Sequence, residues 1–300
     1  MKIITVATQT KGYFKAYSES CKKNNLELIV LGWNEKWKGF LWKFNLMQEY
    51  IASLNDNEIV IFTDAYDVLC LEQNDIILNK FLSLNKAIVF GIDNPLNYIL
   101  SGYMQRIPFS KCNNYVINSG AYMGYIKNLK TLFSQLCKFN KCDDKLDDQK
   151  LLNRFCNQSD YIENNVYLDK DGLIFFNATC SNPLNYISGN CNIGLIENEN
   201  KFINPITNTS PSFLHGCGGI NLDYYCKILD YPIAKQKRNN VVWVLQNYFQ
   251  ECIIYILLIL LTIYLIYYYS NNSNSNSNNS IKNSIKNIIK SFKKYLNFIK

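Results

Sequence analysis

Two aspartates at the end of an apolar segment are the residues of this chain best suited to chemistry. Asp64 and Asp67 follow segment 58–62, whose β-branched and aromatic residues predict a buried strand. Two carboxylates that leave a strand end three residues apart are natural ligands for a hard cation such as Mg²⁺ or Mn²⁺. Such a cation can bridge a diphosphate and neutralise the charge that develops when the diphosphate leaves.

Two other interpretations of these aspartates remain open. Asp side chains often cap the backbone of a solvated turn, and the D-x-x-D pattern is common in that setting. A phosphohydrolase would also place carboxylates at a strand end, but its two carboxylates are two residues apart. Because the preceding strand is predicted to be fully buried, the metal site is the favoured interpretation.

The single histidine offers a third ligand. His215 follows a short apolar segment and precedes a glycine-rich turn that begins at Gly216, where the backbone can approach a phosphate closely. Its imidazole could complete a metal site with Asp64 and Asp67, although a lone histidine is more often structural. One histidine also excludes a 2-His-1-carboxylate iron site and a histidine-rich zinc site.

Four further residues could contact a substrate. Asp147 and Asp148 precede a predicted helix and could orient or deprotonate a hydroxyl, but acidic residues at a helix N-terminus are also favoured by the helix dipole. On the residues alone, that second interpretation is preferred. Asn118 begins a predicted turn of small residues, 118–125, that could lie against a sugar. Lys43 begins a predicted helix and could reach a diphosphate; a surface lysine is the alternative.

The elements that must position these residues alternate between strands and helices. Strands are predicted at 3–7, 26–31, 58–62 and 87–91, and helices at 13–24, 43–54 and 76–84. This alternation predicts an α/β fold with a mostly parallel sheet covered by helices on both faces. Ligands of such sheets bind at the carboxyl ends of the strands, and Asp64 and Asp67 follow such an end.

The composition indicates a folded domain and argues against a nucleic-acid partner. Of the 300 residues, 48% are hydrophobic, which is enough for a substantial core. Six of the charges in the net +7 are lysines beyond Ser280, which leaves about +1 for the rest of the chain. The eleven cysteines include no C-x-x-C pair, so no zinc ribbon is predicted. Both disulfides in an oxidising compartment and free buried thiols remain open.

The C-terminal residues are predicted to associate with a membrane. Residues 252–269 carry no charge and, at about 1.5 Å per residue, nearly cross a hydrocarbon core of roughly 30 Å. We therefore expect one transmembrane helix within 241–270, ranked above a buried core helix because the segment has no polar face. A polar linker at 271–280 and a basic amphipathic tail at 281–300 follow. Lysines flank the span on both sides, so the orientation stays open.

Taken in order, six motifs resemble the glycosyltransferase domain of the multifunctional procollagen lysyl hydroxylases and related collagen glycosyltransferases. The motifs are TVAT, LGWNEKWKG, IFTDAYDV, INSGAYMGY, LDDQKLL and LHGCGG, and the resemblance covers roughly residues 1–225. It implies a GT-A type, Rossmann-like domain over residues 1–240 that binds a UDP-sugar and uses Mn²⁺.

The resemblance also implies roles for single residues. It assigns the metal to Asp64, Asp67 and His215. On the donor side it implies that Tyr66 stacks on uracil, that Thr8, Lys43 and Gly216 contact the nucleotide or its phosphates, and that Trp37 belongs to a mobile loop. It places Asn118, Asp147 and Asp148 near the donor sugar and the acceptor.

The expected function is transfer of glucose or galactose from a UDP-sugar to a hydroxyl of a protein or glycan. The resemblance suggests hydroxylysine of a collagen-like chain as the acceptor. Cys217 stands where the family usually has asparagine, a departure that bears on how the diphosphate is held. The alternative is a catalytically inactive, membrane-anchored binding or envelope protein that keeps the fold. Lysine hydroxylation is not predicted, because the family's iron-dependent hydroxylase domain has no counterpart here.

Overall fold

The structure, a computed structural model, describes residues 1–93, 112, 115–178, 193–198, 201–234, 242 and 249–272. Its strands are β1 (Lys2–Val6), β2 (Glu27–Leu31), β3 (Ile59–Thr63), β4 (Val68–Cys70), β5 (Ile88–Asp93), β6 (Val116–Tyr125), β7 (Val166–Asp169), β8 (Phe175–Asn177), β9 (Ile196–Asn198), β10 (Lys201–Ile203) and β11 (Phe213–His215). Its helices are α1 (Phe14–Lys23), α2 (Trp42–Ile51), α3 (Asn74–Ser83), α4 (Ile126–Phe139), α5 (Asp148–Cys156), α6 (Asp160–Asn165), α7 (Asp223–Ile228) and α8 (Phe249–Asn272).

The central sheet has six strands in the order β2-β1-β3-β6-β5-β7. β1 is parallel to β2 and β3, and β5 is parallel to β7. Only β6 runs against its neighbours β3 and β5 among these six strands. The predicted α/β fold with a mostly parallel sheet is therefore confirmed.

Both faces of this sheet are buried. On β3, Val60 and Phe62 belong to a hydrophobic cluster that includes residues of α2, α4 and α5, whereas Ile61 belongs to a cluster that includes residues of α1 and α3. Successive side chains of a strand point to opposite faces, so the strand needs apolar residues at every position. This is why the central strands appear in the sequence as unbroken apolar segments.

The segment Asn118–Tyr125 is a strand and not the predicted turn. It forms most of β6, a ten-residue strand in which all positions but the last are buried. Its small residues suggested a turn, but glycine in a strand also serves where another group approaches the backbone closely. The site described below contains such an approach, at Gly120.

A smaller sheet, β4-β11-β8, lies beside the larger one. β11 is antiparallel to β4 and parallel to β8, so His215 lies opposite Val68 on one side and Asn177 on the other. Its strands have three residues each, too few to show a hydrophobic period in the sequence.

Three helices end in a left-handed residue other than glycine. Asn25 follows α1, Asn85 follows α3 and Asp230 follows α7, with φ values of 58°, 55° and 58°. Glycine is the usual residue at this position because it has no Cβ to clash. Asn and Asp tolerate the conformation better than other residues with a side chain.

The C-terminal residues form a separate unit, Val242–Lys300, distinct from Met1–Val241. Helix α8 covers the whole of the charge-free segment 252–269. However, among the residues that the structure describes, no helix is long and apolar enough to cross a membrane. The transmembrane helix predicted at 252–269 from its lack of charge is therefore not confirmed. Helix α8 extends to Asn272, into the predicted linker; residues 273–280 and the predicted tail at 281–300 lie outside the described residues.

Four cysteines of the described residues are paired. Disulfides join Cys112 to Cys156 and Cys137 to Cys142. Free thiols among the described residues are those of Cys21, Cys70, Cys217 and Cys226. Both outcomes that the sequence left open are thus present in one domain.

Candidate functional site

Three side chains converge at the carboxyl end of β3. Asp64 directly follows β3, Asp67 precedes β4, and His215 ends β11. His215 Nε2 lies 3.4 Å from Asp67 Oδ1 and 3.8 Å from Asp64 Oδ2. One ligand atom from each residue lies within 4.8 Å of the other two, which is close enough for all three to bind one ion.

Backbone pairing produces this convergence. His215 lies opposite Val68 in the β4–β11 register, which brings it beside Asp67. The Gly216 amide donates to the Asp67 carbonyl at 2.7 Å, and the Asp64 amide donates to the Gly120 carbonyl at 2.8 Å. Gly216 therefore fixes the loop that holds Asp67; its contact with a nucleotide stays a prediction.

Gly120 leaves the space that the side chains of Asp64 and His215 occupy. A Cβ at this position would lie 2.3 Å from Asp64 Oδ2 and 2.9 Å from His215 Cε1. Both distances are shorter than van der Waals contact, so even alanine would displace one of the two side chains. A glycine inside a buried strand is destabilising by itself, and here it keeps the cluster open.

The orientation of His215 is set by Asn177. His215 is 2% exposed, and its Nδ1 lies 3.2 Å from Asn177 Oδ1. The tautomer that donates Nδ1–H to this oxygen leaves the Nε2 lone pair facing the two aspartates, as a metal ligand requires. Burial acts to lower the pKa of His215, but Asp67 and Asp64 outweigh it and raise the pKa.

Lys43 joins this cluster to the acidic residues of α5. Its Nζ lies 2.8 Å from Asp64 Oδ1 and 3.1 Å from Asp148 Oδ2. The residue is buried, so the alternative of a surface lysine is wrong. Burial acts to lower the pKa of Lys43, but Asp148 and Asp64 outweigh it and raise the pKa, which keeps the ammonium charged. Burial likewise opposes ionisation of Asp64, yet Lys43 and His215 lower its pKa.

The two aspartates before α5 have different surroundings. Asp147 is the N-cap of the helix, and its Oδ1 accepts a hydrogen bond from the Lys150 amide at 2.8 Å. The helix-terminus interpretation therefore describes Asp147 well. Asp148 instead faces inward and is 3% exposed. Burial raises the pKa of Asp148 to about 6, although Lys43 acts in the opposite direction.

A polar network that the sequence analysis missed adjoins the cluster. Asp93, the last residue of β5, accepts hydrogen bonds from Asn118 Nδ2 at 2.8 Å and from Gln149 Nε2 at 3.0 Å. Cys217 Sγ lies 3.4 Å from the same Asn118 nitrogen. Asp93 is buried, and this burial raises its pKa. The sequence did carry a signal for this residue, because Asp93, like Asp64, stands at the carboxyl end of a buried strand.

The predicted donor-side residues fall into two groups. Tyr66 and Thr8 are in contact, with the Thr8 amide donating to the Tyr66 hydroxyl at 2.9 Å. The Lys11 ammonium lies 4.5 Å from the centre of the Tyr66 ring. Trp37 lies in the loop between β2 and α2, is 41% exposed, and contacts the ring of Trp42 at a centroid distance of 5.6 Å. An exposed ring in a loop is compatible with the predicted cover over the donor.

A family model described as "PLOD GT domain" matches residues 1–236, which include every residue of the candidate site. The chain belongs to this family. The resemblance inferred from the six motifs is confirmed by that match.

Relatives of this chain include much longer proteins. It is 27% identical over 237 residues to a procollagen-lysine,2-oxoglutarate 5-dioxygenase of Drosophila melanogaster, covering 74% of this chain and 31% of that protein. It is 27% identical over 230 residues to a multifunctional procollagen lysine hydroxylase and glycosyltransferase of Caenorhabditis elegans, covering 72% of this chain and 30% of that protein. The chain thus spans less than a third of the length of these relatives.

Among solved structures, galactosyltransferase LgtC in complex with donor and acceptor sugar analogues is similar to this chain. The TM-score is 0.40 and the identity 16%, over 72% of this chain and 87% of that one.

The ligand atoms of Asp64, Asp67 and His215 fit a divalent cation. Two carboxylates are hard ligands of the kind that Mg²⁺ and Mn²⁺ take, and a neutral imidazole adds a ligand that transition metals accept readily. The space left by Gly120 borders two of the three ligands. Cys217, although two residues from His215, is not part of the three-residue group that lies within ligand distance.

Proposed function

We propose that this domain is a metal-dependent glycosyltransferase that transfers glucose or galactose from a UDP-sugar to a hydroxyl group. The observation that carries the proposal is the convergence of Asp64, Asp67 and His215 on one point, in a chain that belongs to the PLOD GT domain family. The acceptor that we propose is a protein or glycan hydroxyl, with hydroxylysine of a collagen-like chain as the first candidate.

On the donor side, the residues of this chain would bind the cation and orient the nucleotide. Asp64, Asp67 and His215 would hold Mn²⁺ or Mg²⁺, which supplies the positive charge that stabilises a departing diphosphate. Asn177 keeps the His215 ring in the required orientation. The Thr8 amide fixes the hydroxyl of Tyr66, so the phenol ring is held in place to stack on uracil.

On the acceptor side, Asp148 is the residue that we propose to orient or deprotonate the hydroxyl. With a pKa of about 6, its carboxylate is more basic than an ordinary one and still mostly ionised at pH 7. Lys43 holds one of its oxygens at 3.1 Å. Asn118 is held by Asp93, which accepts from its Nδ2, and by the Gly120 amide, which donates to its Oδ1 at 2.8 Å; we place this residue beside the donor sugar.

The experiment that tests this proposal is hydrolysis or transfer of UDP-glucose and UDP-galactose with and without Mn²⁺. We expect metal-dependent release of UDP that Asp67→Ala reduces by a factor of about 10² or more, because a ligand of the cation is lost. Asp75→Ala, which removes an exposed aspartate of α3, is the matched control and should keep wild-type turnover. Turnover that is independent of both Mn²⁺ and Asp67 would contradict the proposal.

A catalytically inactive scaffold is the second candidate, and Cys217 is the observation that favours it. A thiol beside Asn118 is a weaker hydrogen-bonding group than the asparagine amide usual in the family. The two candidates differ in ligand binding: an intact site is stabilised by UDP with Mn²⁺ in a thermal shift measurement, and a lost site is not. If the wild type shows no shift and Cys217→Asn shows one, the scaffold is the better description.

A further inference from the structure

Helix α5 carries a residue of the proposed site at its first position and a disulfide at its last. Asp148, the first residue, is in contact with Lys43, and Gln149 donates to Asp93. Cys156, the last residue, is bonded to Cys112. The helix has nine residues, so its rise of about 1.5 Å per residue separates the covalent link from the site by only about 12 Å.

The other cysteine of this disulfide, Cys112, lies shortly before the start of β6. Cys112 pairs with Tyr115 in an isolated antiparallel bridge, with hydrogen bonds of 2.7 and 2.9 Å between their backbones. Tyr115 directly precedes β6, the strand that carries Asn118 and Gly120. The disulfide therefore connects the end of one site-bearing element to the beginning of another.

A buried amide makes the second connection between α5 and β6. Asn153 is fully buried; its Oδ1 accepts from the Ile117 amide at 2.8 Å, and its Nδ2 donates to the Ile117 carbonyl at 2.9 Å. Both backbone groups of Ile117 thus bind one side chain, as they would bind a neighbouring strand. Ile117 adjoins Asn118, so the two links fix α5 against β6 right beside the site.

We propose that the Cys112–Cys156 disulfide is a redox-dependent positioning link that holds Asp148 at the site through α5. When the disulfide is reduced, the C-terminal end of α5 loses its covalent attachment, and only noncovalent contacts, among them the Asn153–Ile117 hydrogen bonds and the apolar packing of α5, keep the helix in register with β6. Asp148 then departs from Lys43 for a larger fraction of the time. The placement of α5 is independent of the proposed function, and only the effect on transfer depends on it.

The chemistry of the switch is thiol–disulfide exchange. A thiolate of an external dithiol attacks the sulfur of Cys156, a partly exposed residue, and the buried Cys112 leaves as a thiolate that then takes up a proton. The dithiol closes to its own disulfide and releases Cys156. Two electrons and two protons are transferred to the protein, and an external disulfide reverses the step.

Hydrogen exchange of α5, read by mass spectrometry, tests the placement without any need for turnover. We expect the amides of α5 to exchange about tenfold faster in Cys112→Ser/Cys156→Ser than in the wild type, because local opening becomes easier. Cys137→Ser/Cys142→Ser removes the second disulfide of the described residues, which spans five positions at the end of α4, and should leave α5 at the wild-type rate. If the first double variant does not fold, native wild-type protein reduced with dithiothreitol gives the same reading. Equal protection of α5 with and without the Cys112–Cys156 bond would overturn the proposal.

A kinetic measurement separates this inference from the proposed function. For an active enzyme we expect loss of the Cys112–Cys156 bond to lower kcat about tenfold with the KM for UDP-sugar unchanged, because Asp148 lies on the acceptor side. A merely structural link would change thermal stability without this split, and that outcome would overturn the positioning role. A chain that is inactive in both redox states but shows the difference in hydrogen exchange of α5 would contradict the proposed function and support the positioning link.

Discussion

Five charged or ionisable side chains form a continuous series of contacts, from Asp67 through His215, Asp64 and Lys43 to Asp148. With His215 neutral, the three carboxylates and the one ammonium sum to a net charge of −2. A carboxylate oxygen of Asp64 and one of Asp67 lie within 4.8 Å of each other, and like charges this close repel. A divalent cation would cancel this charge, which is a second reason, besides ligand geometry, to expect one here.

The space at Gly120 leads to a prediction about metal affinity. We expect Gly120→Ala to weaken Mn²⁺ binding by roughly 10-fold to 100-fold, the usual range for disturbing the shell around a metal ligand. The reason is that its Cβ would lie 2.3 Å from Asp64 Oδ2. Titration calorimetry with Mn²⁺ measures the affinity. Gly124→Ala on the same strand is the control, because its Cβ would meet Ala87 and Ile88 at 3.0 Å and not the metal cluster. Equal Mn²⁺ affinity of the Gly120 variant and the wild type would show that the space at Gly120 is not needed.

The pKa of Asp148 leads to a prediction about pH dependence. If Asp148 accepts the proton of the acceptor, turnover rises with pH around a midpoint near 6, because the carboxyl must be ionised. Lys43→Met removes the ammonium that acts to lower this pKa, so the midpoint should move to higher pH. A pH–rate profile of both proteins makes the comparison, and an unshifted midpoint in the variant would argue against the Lys43–Asp148 pairing. The same raised pKa means that Asp148 makes folding less favourable as the pH rises from about 4 to 6.

At the scale of elements, the loop between β7 and β8 is organised by one buried carboxylate. Asp169 is 2% exposed and accepts hydrogen bonds from the amides of Leu173, Ile174 and Phe175 at 2.9, 2.7 and 2.8 Å. Phe175 is the first residue of β8, and Asn177, which orients His215, is the last. The carboxylate therefore fixes a strand on which the metal cluster depends.

Removal of this carboxylate should destabilise the domain. We expect Asp169→Ala to lower the free energy of unfolding by about 3–5 kcal/mol, because two buried amides and one partly buried amide lose their acceptor. Asp169→Asn keeps one acceptor oxygen and should cost less. Urea denaturation followed by circular dichroism gives the values, and a loss below about 1 kcal/mol in the alanine variant would mean that water replaces the carboxylate.

Elements were predictable from sequence where burial on both faces made the apolar signal continuous. The structure has β1, β2, β3 and β5, and helices α1, α2 and α3, where they were predicted, with ends displaced by up to three residues. β6 was missed because Gly120 and Gly124 suggested a turn, although they serve close approaches to Asp64 and Ala87. The β4-β11-β8 sheet was missed because contacts distant in sequence, and not local periodicity, define its short strands.

At the scale of the whole molecule, the described part of the unit Met1–Val241 contains all three hydrophobic clusters and the candidate metal ligands. We therefore expect a protein consisting of residues 1–241 to unfold in one cooperative transition and to bind Mn²⁺ as tightly as the full chain. Differential scanning calorimetry with and without Mn²⁺ tests both statements. A fragment without a cooperative transition would show that the remaining residues complete the fold. A fragment whose transition temperature Mn²⁺ leaves unchanged, while it raises that of the full chain, would show that they complete the site.

The site was predictable only as far as its motifs are continuous in sequence. Asp64 and Asp67 were visible from their position after a strand, but nothing local joins them to His215; the ordered set of motifs made that connection. Asn177 and Gln149 had no local signal, because each acts through a partner from another element. The inward direction of Asp148 also required the tertiary contact with Lys43.

The left-handed residues after α1, α3 and α7 have a consequence for the gene. Asn25, Asn85 and Asp230 occupy positions where glycine is the usual choice. Glycine codons begin with two guanines, whereas those of asparagine begin with two adenines and those of aspartate contain a single obligatory guanine. A coding sequence under pressure toward adenine and thymine can therefore specify these three chain reversals with little conflict between nucleotide bias and backbone geometry.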